Sequence, residues 1–567
     1  MSTVMSAAPA APVSSPLLLA ARRWLAREAP ALPADLVAAL EALYLAVEAG
    51  HVCIPVAADA AAAWRDSGWV GAPGDYRPFV LETDADGARL YLARYHAHES
   101  AVAASLRERA AVLHAPADAG ALHRELDALF GSVPEDRQRL AALLAQFKPL
   151  TLVSGGPGTG KTTTVVKLLA LLQAQAARAG KPPLRMLLAA PTGKAAQRLS
   201  ESIRTAKQGL PLPAEVVATI PEAAQTLHRL LGAQGDTGRF RHDADNPLAC
   251  DLLLVDEASM IDLGMMQALL AALPLAARLV LLGDRDQLAS VEAGSVFGDL
   301  CAASGMSAAL RAQLAPFAVA VPASAPDGVL ADCRVELVHS YRFAADGGIG
   351  ALARAARAGD APAFLAALAA EGEAARVPAV ALRAAVQAGY APYRAAVAAG
   401  DPAAAFAAFA AFRVLCAHRQ GAAGVEGLNA LLDAGGWYAG RPVIVRANDY
   451  ALRLFNGDIG LCLPTAEGLR VFFETAPGSF RALAPGRLPA HEPAWAMTVH
   501  QSQGSEFGRV LLVLPEAESA VLDRPLVYTA VTRAREGFAL CGSDAVLAAA
   551  LATRPARASG LAGKLRV

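Results

Sequence analysis

From about residue 137 onward the chain alternates short apolar runs with longer stretches of helical spacing. That is the pattern of strands covered on both faces by helices, and it predicts parallel α/β sheets. Expected strands of a first series are 150–153, 186–190, 252–255 and 279–282. A second series is expected at 414–417, 443–446, 469–473, 510–514 and 538–541. Ahead of both, residues 17–114 read as mostly helical, with amphipathic spacing over 22–29 and 36–48. A strand pair is expected there at 79–82 and 89–92, joined through Asp84-Ala-Asp-Gly87. Residues 115–135 read as a connector, and the Pro/Ala-rich 315–326 as a surface loop. The stretch 350–410 is so rich in alanine that helix is expected by default. Residues 441–490 stand apart, as short strands separated by Asn456-Gly457-Asp458 and by Pro/Gly turns, which predicts a small β insertion.

One boundary in this pattern carries chemistry. The apolar run at 150–153 leads into Gly155-Gly-Pro-Gly-Thr-Gly-Lys-Thr162, and a helical pattern over 163–172 leads out. Strand, glycine-rich loop and helix in that order make a phosphate-binding loop. The glycines let backbone N–H groups turn toward phosphates, and the helix N-terminus adds partial positive charge. Lys161 is expected on the β- and γ-phosphates, and the Thr162 hydroxyl on Mg²⁺. Gly155, Gly156, Pro157, Gly158, Thr159, Gly160 and Thr163 complete the nucleotide-binding set.

Further candidates follow in sequence. Asp256-Glu257 ends the strand at 252–255; Asp256 is expected to hold Mg²⁺ and Glu257 to accept the proton of the attacking water. Gln287, after the strand at 279–282, is expected to sense the γ-phosphate through its neutral amide. Gln138, ahead of the loop, is expected to read the adenine edge. Arg342 and Arg533 are both expected on the second α/β unit, reaching across a cleft to the transferring phosphate.

Composition narrows the setting. With 567 residues, several domains are required. The residues are 54% hydrophobic and 18% charged, and no apolar stretch approaches the ~20 residues that span a bilayer. Residues 1–16 are Ala/Pro/Ser-rich and read as a disordered tail rather than a signal sequence. Seven scattered cysteines show no C-x-x-C pair and no metal-type spacing, which fits a reducing cytoplasm. Net charge is −1, so a nucleic-acid site has to be a local groove.

The motif order resembles the superfamily 1 DNA helicases of 5′-to-3′ polarity, and among them the RecD family, the alpha subunits of exodeoxyribonuclease V (RecBCD). The resemblance is carried by GGPGTGKTTTV (155–165), APTGKAAQRL (190–199), TLHRLL (226–231), VDEASM (255–260) and GDRDQLASVEAGSVFGDL (283–300). It continues through SYRF (340–343), HRQGAAGVEGLN (418–429), NDYALRLFNGDIG (448–460), AMTVHQSQGSEF (496–507) and LVYTAVTRAR (526–535). The segment GHVCIP (50–55) shares it.

The resemblance implies an α/β fold of two RecA-like P-loop domains, at 136–335 and at 336–440 with 491–567. It adds a mostly α partner-binding domain at 1–115, a linker at 116–135 and an SH3-like β insertion at 441–490. Lys161, Thr162, Asp256, Glu257, Gln287, Arg342 and Arg533 land on the family's catalytic positions, and Glu506 on its ribose contact. Pro191, Thr192, Gly193, Thr226, His228, Thr498, His500 and Ser502 land beside the DNA strand. Hydroxyls, amides and imidazoles can bond phosphates without reading bases, as a translocating motor requires. The implied function is an ATP- and Mg²⁺-dependent helicase acting on double-strand DNA ends with RecB-like and RecC-like subunits, away from any membrane. No acidic-plus-lysine cluster suggests a nuclease centre, so cleavage is expected from a partner. A stand-alone superfamily 1 helicase, an inactive assembly scaffold and a P-loop phosphotransferase are the alternatives.

Overall fold

The computed structural model describes residues 16–57, 63–85, 87–116, 118–133, 136–235, 238–343, 347–370, 372–449, 451–476, 478–555 and 557–566. The tail expected over 1–16 lies outside the described residues except for Pro16, which opens helix Pro16–Glu28. Proline suits a first turn, where its missing N–H costs nothing.

The N-terminal region holds more strand than its sequence suggested. Strands β1 (Cys53–Val56), β2 (Val70–Gly71), β3 (Phe79–Asp84) and β4 (Gly87–Leu92) form one sheet in the order β1-β4-β3-β2. Alternation gives the sheet two buried faces. Phe79, Leu81 and Leu90 pack under helices Pro16–Glu28 and Ala34–Glu48, while Val80 and Tyr91 face helix Ala93–Ala111. That helix lies on helix Leu263–Ala272 of the next region. Buried Arg109 donates to the carbonyls of Leu273, Pro274, Leu275 and Ala277 at 2.7–3.1 Å, tying down the turn that follows that helix.

The first parallel sheet consists of β5 (Leu150–Gly155), β6 (Met186–Ala190), β7 (Ala224–Thr226), β8 (Leu252–Val255), β9 (Arg278–Gly283) and β10 (Arg334–Leu337). Its order is β10-β5-β9-β8-β6-β7. The four strands legible in the sequence are the interior ones, and β5 and β8 are buried along their whole length. The two that were not legible, β7 and β10, are the edges. They are short and carry polar residues because one side has no strand to satisfy.

Residues 116–135 are not simply a connector. Ala119–Phe130 is a helix capped by Asp118, whose Oδ1 accepts from the Ala121 N–H at 2.9 Å. Its Leu122, Leu126 and Leu129 bury against the P-loop helix, and Arg139 ties it down through Asp127 and the Gly131 carbonyl. The loop expected at 315–326 begins with a 3₁₀ turn, Ala315–Phe317, which drives Phe317 into the core against Phe147.

The second parallel sheet has β11 (Ala374–Arg376), β12 (Phe412–Cys416), β18 (Ala496–Thr498), β19 (Phe507–Val513) and β20 (Ala534–Cys541), in the order β11-β20-β19-β12-β18. The alanine-rich stretch folds into helices as expected, with β11 as an added edge strand. Strands β13 (Pro442–Val445), β14 (Ile459–Thr465), β15 (Gly468–Ala476), β16 (Ser479–Leu483) and β17 (His491–Pro493) form a separate antiparallel sheet inserted between β12 and β18. Its own core is built on Val443, Val445, Cys462, Val471 and Phe473. Among the described residues no helix is long and apolar enough to cross a membrane.

After helix Asp544–Ala552 the chain leaves the second sheet and returns to the N-terminal region. The Val52 N–H donates to the Ala558 carbonyl (2.8 Å), and Glu99 accepts from Ser559 Oγ and the Gly560 N–H (both 2.8 Å). Lys564 pairs with Glu82 and Glu99. Leu561 and Leu565 enter the core shared by helix Ala93–Ala111 and the first sheet. Truncating the buried Leu561 to Ala is expected to cost about 2–5 kcal/mol and to lower the denaturant midpoint. An unchanged midpoint would show that the tail is not part of the cooperative fold.

Candidate nucleotide and nucleic-acid site

Gly155 ends β5, and the chain turns through Gly156 to Gly160 into helix Lys161–Arg178. Gly158 (φ 76°) and Gly160 (φ 77°) adopt the left-handed backbone that glycine tolerates. Neighbours press against both. A Cβ on Gly158 would lie 2.3 Å from that of Arg342, and one on Gly160 would lie 2.4 Å from the Gln138 amide nitrogen. Lys161 Nζ donates to the carbonyls of Gly155 (2.5 Å) and Gly156 (3.1 Å), which holds the ammonium over the loop. Gln138 braces the loop, its amide donating to the Thr159 carbonyl at 3.1 Å, and it is not among the residues that line the cavity above the loop.

A cavity of about 330 Å³ opens above this loop between the two parallel sheets. Pro157 to Thr163 form one wall; Asp256, Glu257, Gln287, Arg342, Glu506 and Arg533 complete it. Gly155 and Gly156 lie behind the wall, Gly156 close against the Tyr528 hydroxyl. Burial, then the neighbouring Glu257 charge, push the Asp256 carboxyl up to about 6, while Lys161 pulls it down. A cation between Asp256 and the Thr162 hydroxyl would relieve that penalty, so these hard oxygen ligands fit Mg²⁺. Among the described residues no group of three or more His, Cys, Asp or Glu could hold a metal, so water and phosphate oxygens would supply the remaining ligands. Glu257 sits at φ 53°, a left-handed conformation that costs a non-glycine residue on the order of 1–3 kcal/mol. Its N–H is fixed by Asp256 Oδ1 at 2.9 Å, which turns the Glu257 side chain toward the cavity.

Gln287 is nearly buried, and its amide donates to Asp284 Oδ2 at 3.0 Å. The same oxygen accepts the Tyr528 hydroxyl (3.0 Å) from the second sheet's helix Arg524–Thr532. One residue on, the Leu288 N–H donates to Thr529 Oγ1 (3.0 Å), and the Gln503 amide donates to the Leu288 carbonyl (3.0 Å). The segment carrying Gln287 is thus wired to both halves of the molecule.

Glu506 is the meeting point of the cleft. Its Oε1 lies 2.8 Å from Arg198 and 2.9 Å from Arg342, and its Oε2 lies 3.0 Å from Arg535. Burial raises its pKa, but these guanidinium groups outweigh that and hold the carboxyl down at about 2. Arg342 does not come from the second α/β unit as expected. Strand β10 pairs with β5, so residues 340–343 leave the first sheet and lie on the P-loop, with the Tyr341 N–H donating to the Gly158 carbonyl (2.8 Å). That pairing joins residues some 180 positions apart, which no local pattern encodes. Arg533 does come from the second unit, at the C-terminal end of helix Arg524–Thr532, and is buried with its donors on the Thr529 and Ser505 carbonyls.

The expected DNA-facing residues divide. Pro191, Thr192 and His228 line a second cavity of about 230 Å³ together with Ser290, Val291 and Gln503. Thr192 and Thr226 cap helices, so their hydroxyls accept backbone N–H groups; Gly193, beside Thr192, is exposed. Thr498 is nearly buried and bonds with Gln501. His500 is half-buried, and burial, then the Arg557 charge, push its pKa down. Ser502 does not reach the surface; it is fully buried and donates to the Val499 carbonyl at 2.6 Å. Two residues at the site were not picked out from sequence. Arg198 bridges the cleft to Glu506 and to the Gly504 carbonyl (2.9 Å). Tyr341, two-thirds exposed on the cavity wall, offers a flat face to a base. Its signal was an aromatic beside Arg342 in a polar run.

Residues 138–293 match the AAA domain family model and residues 493–541 the UvrD-like helicase C-terminal domain. The chain is 41% identical to the RecBCD enzyme subunit RecD of Mycolicibacterium smegmatis over 548 residues, covering 92% of each chain. It is 40% identical to the corresponding subunit of Mycobacterium tuberculosis, covering 92% of this chain and 89% of that one. It is 34% identical to the ATP-dependent RecD2 DNA helicase of Deinococcus radiodurans, covering 74% of this chain and half of that one.

The depressed Glu506 pKa has a defined sign. The carboxylate stabilises the fold fully above its ordinary 4.5, and that stabilisation is lost as pH falls toward 2. Glu506→Gln is therefore expected to cost about 3 kcal/mol at pH 7, with the gap in Tm to wild type closing as pH falls below 4. A gap that stays constant with pH would refute the ion-pair account.

Proposed function

The chain belongs to the RecD family and is an ATP-dependent DNA helicase of recombinational repair, and we propose that it couples ATP hydrolysis at the Lys161 cavity to 5′-to-3′ movement along single-stranded DNA. One observation carries this reading. The P-loop, a carboxylate pair, a neutral amide and two arginines from separate chain segments line one cavity between two parallel sheets. The segment bearing the amide runs directly into the second cavity, which holds Pro191, Thr192 and His228.

The chemistry follows from the donors. The backbone N–H groups of the loop and the N-terminus of helix Lys161–Arg178 cradle the phosphates, and Lys161 takes the β- and γ-phosphate oxygens. Mg²⁺, when bound, supplies charge neutralisation on those oxygens; Thr162 and Asp256 would hold it. Tyr341 stacks on the base and Glu506 faces the ribose. Glu257 accepts the proton of the attacking water. Arg342 and Arg533 stabilise charge on the γ-phosphoryl group when the sheets close on it, so hydrolysis depends on the relative position of the two halves. Gln287 loses or gains a hydrogen bond as the γ-phosphate leaves or enters.

RecB-like and RecC-like subunits are the proposed partners, with the region ahead of residue 115 as their contact, in a cytoplasmic complex acting on duplex ends. The near-complete coverage of the mycobacterial subunits, against half coverage of the Deinococcus helicase, supports the subunit reading over the stand-alone one.

ATP turnover of the purified chain, with and without single-stranded DNA, tests the motor. Strong stimulation by DNA is expected. Lys161→Ala should reduce turnover by at least about a hundredfold, and Glu257→Gln should retain ATP binding with very slow hydrolysis. DNA-independent turnover, or wild-type rates in Lys161→Ala, would sink the assignment. A duplex bearing only a 5′ or only a 3′ single-stranded tail tests polarity, and co-purification with and without residues 1–115 tests the partner surface.

A further inference from the structure

The seven residues 288–294 run on from Gln287 at the first cavity past the second, and their conformation is held from outside. Val291, 73% exposed, projects into the second cavity beside His228 and Pro191. An exposed branched aliphatic on a loop would ordinarily be mobile, but this backbone is braced on every side. Ser290 Oγ donates to the carbonyls of Glu292 (3.1 Å) and Gly294 (3.0 Å). The Leu263 N–H donates to the Ala293 carbonyl (3.2 Å), and the Gly294 N–H to the Gly50 carbonyl (2.9 Å).

The last brace comes from the returning C-terminal tail. Arg557 Nη1 donates to the carbonyls of both Glu292 and Gly294 at 3.0 Å, across 263 residues of chain in the second case. Room for the guanidinium is made by Gly50, where a Cβ would lie 2.7 Å from Arg557 Cζ. Gly50 also has φ +87°, so glycine is required there on two counts. Burial lowers the Arg557 pKa, and the Asp523 charge offsets that only in part. Asp523 caps the helix that carries Arg533 at its far end, accepting the Leu526 N–H at 2.8 Å. Arg557 thus stands where the N-terminal region, the Gln287 segment and the second sheet meet. The two carbonyls give the half-buried guanidinium acceptors that offset its desolvation, and the same bonds fix the loop in place.

We propose that Arg557 is a positioning residue for DNA-coupled ATP hydrolysis: it fixes the 288–294 loop so that occupancy of the strand cavity at Val291 is transmitted to Gln287 at the ATP cavity. The proposal rests on the functional reading above. With the loop rigid, a displacement at one end must appear at the other. With Arg557 removed, Glu292 and Gly294 lose their charged donor, the loop slackens, and the two events separate.

The test measures ATP turnover of the full chain, with and without an oligothymidylate, for wild type, Arg557→Ala and Arg557→Lys. In Arg557→Ala the DNA-stimulated kcat is expected to fall about tenfold while KM for ATP stays within about twofold. In Arg557→Lys a positive donor can still reach the same carbonyls, and this variant should recover at least about half of the stimulation. Should Arg557→Ala melt below the assay temperature, Arg557→Met takes its place in the comparison. Wild-type stimulation in the uncharged variant overturns the proposal, as does a Lys variant no better than Ala. A proportional loss of DNA-free turnover and thermal stability overturns it in favour of a purely structural brace. A wild-type chain whose turnover ignores DNA would instead overturn the functional reading, and this proposal with it.

Discussion

The arrangement of this molecule depends on one buried carboxylate. Glu506 gathers Arg198 from the first parallel domain, Arg342 from the segment that leaves β10, and Arg535 from the second sheet. Burying the Glu506 carboxylate is costly, and its close pairing with three guanidinium groups, each of which keeps part of its surface in water, offsets that cost. The cluster therefore fixes where the two sheets stand relative to each other, and with them the cavity. Arg342 and Arg533 line the same cavity because Glu506 and the backbone around it bring their segments together.

A second consequence concerns direction of influence. The cleft is closed by groups that each belong to a longer run: Gln287 to the 288–294 loop, Tyr528 and Thr529 to the helix ending in Arg533, and Arg198 to the helix that begins at Gly193. Every one of those runs has its other end near the second cavity or near the N-terminal region. The groups that line the cleft are therefore carried by packed elements and are not isolated side chains. The strain stored at Glu257 fits the same logic, since a left-handed carboxylate residue persists only where its surroundings over-determine it.

Much of this was legible in the sequence because the relevant signals are local. Interior strands of a parallel sheet must be continuously apolar, so β5, β6, β8 and β9 declared themselves. The phosphate loop needs glycine at fixed offsets, and Asp256-Glu257 had to follow a buried strand. The small antiparallel insertion was visible through its turns. Even the helix at Ala119–Phe130, which reads as a connector, leaves a trace in Asp118 and in leucines at 122, 126 and 129. Edge strands β7, β10 and β11 escape a reading of the sequence because short polar-tolerant strands have no distinctive pattern.

What the sequence by itself determined was the family to which the chain belongs and its phosphate-binding loop, since both reside in short motifs whose spacing is dictated by one strand, one turn and one helix. Tertiary structure alone decided the rest. It placed Arg342 on the first sheet's edge, turned Ser502 inward, made Gln138 a brace for the loop, and brought Arg557 back across the molecule to the carbonyls of Glu292 and Gly294. The physical reason is the same in each case. A side chain's partner is set by burial and hydrogen-bond satisfaction in the folded molecule, over separations from 3 residues at Ser502 to 265 at Arg557, and no periodicity along the chain records which groups will meet.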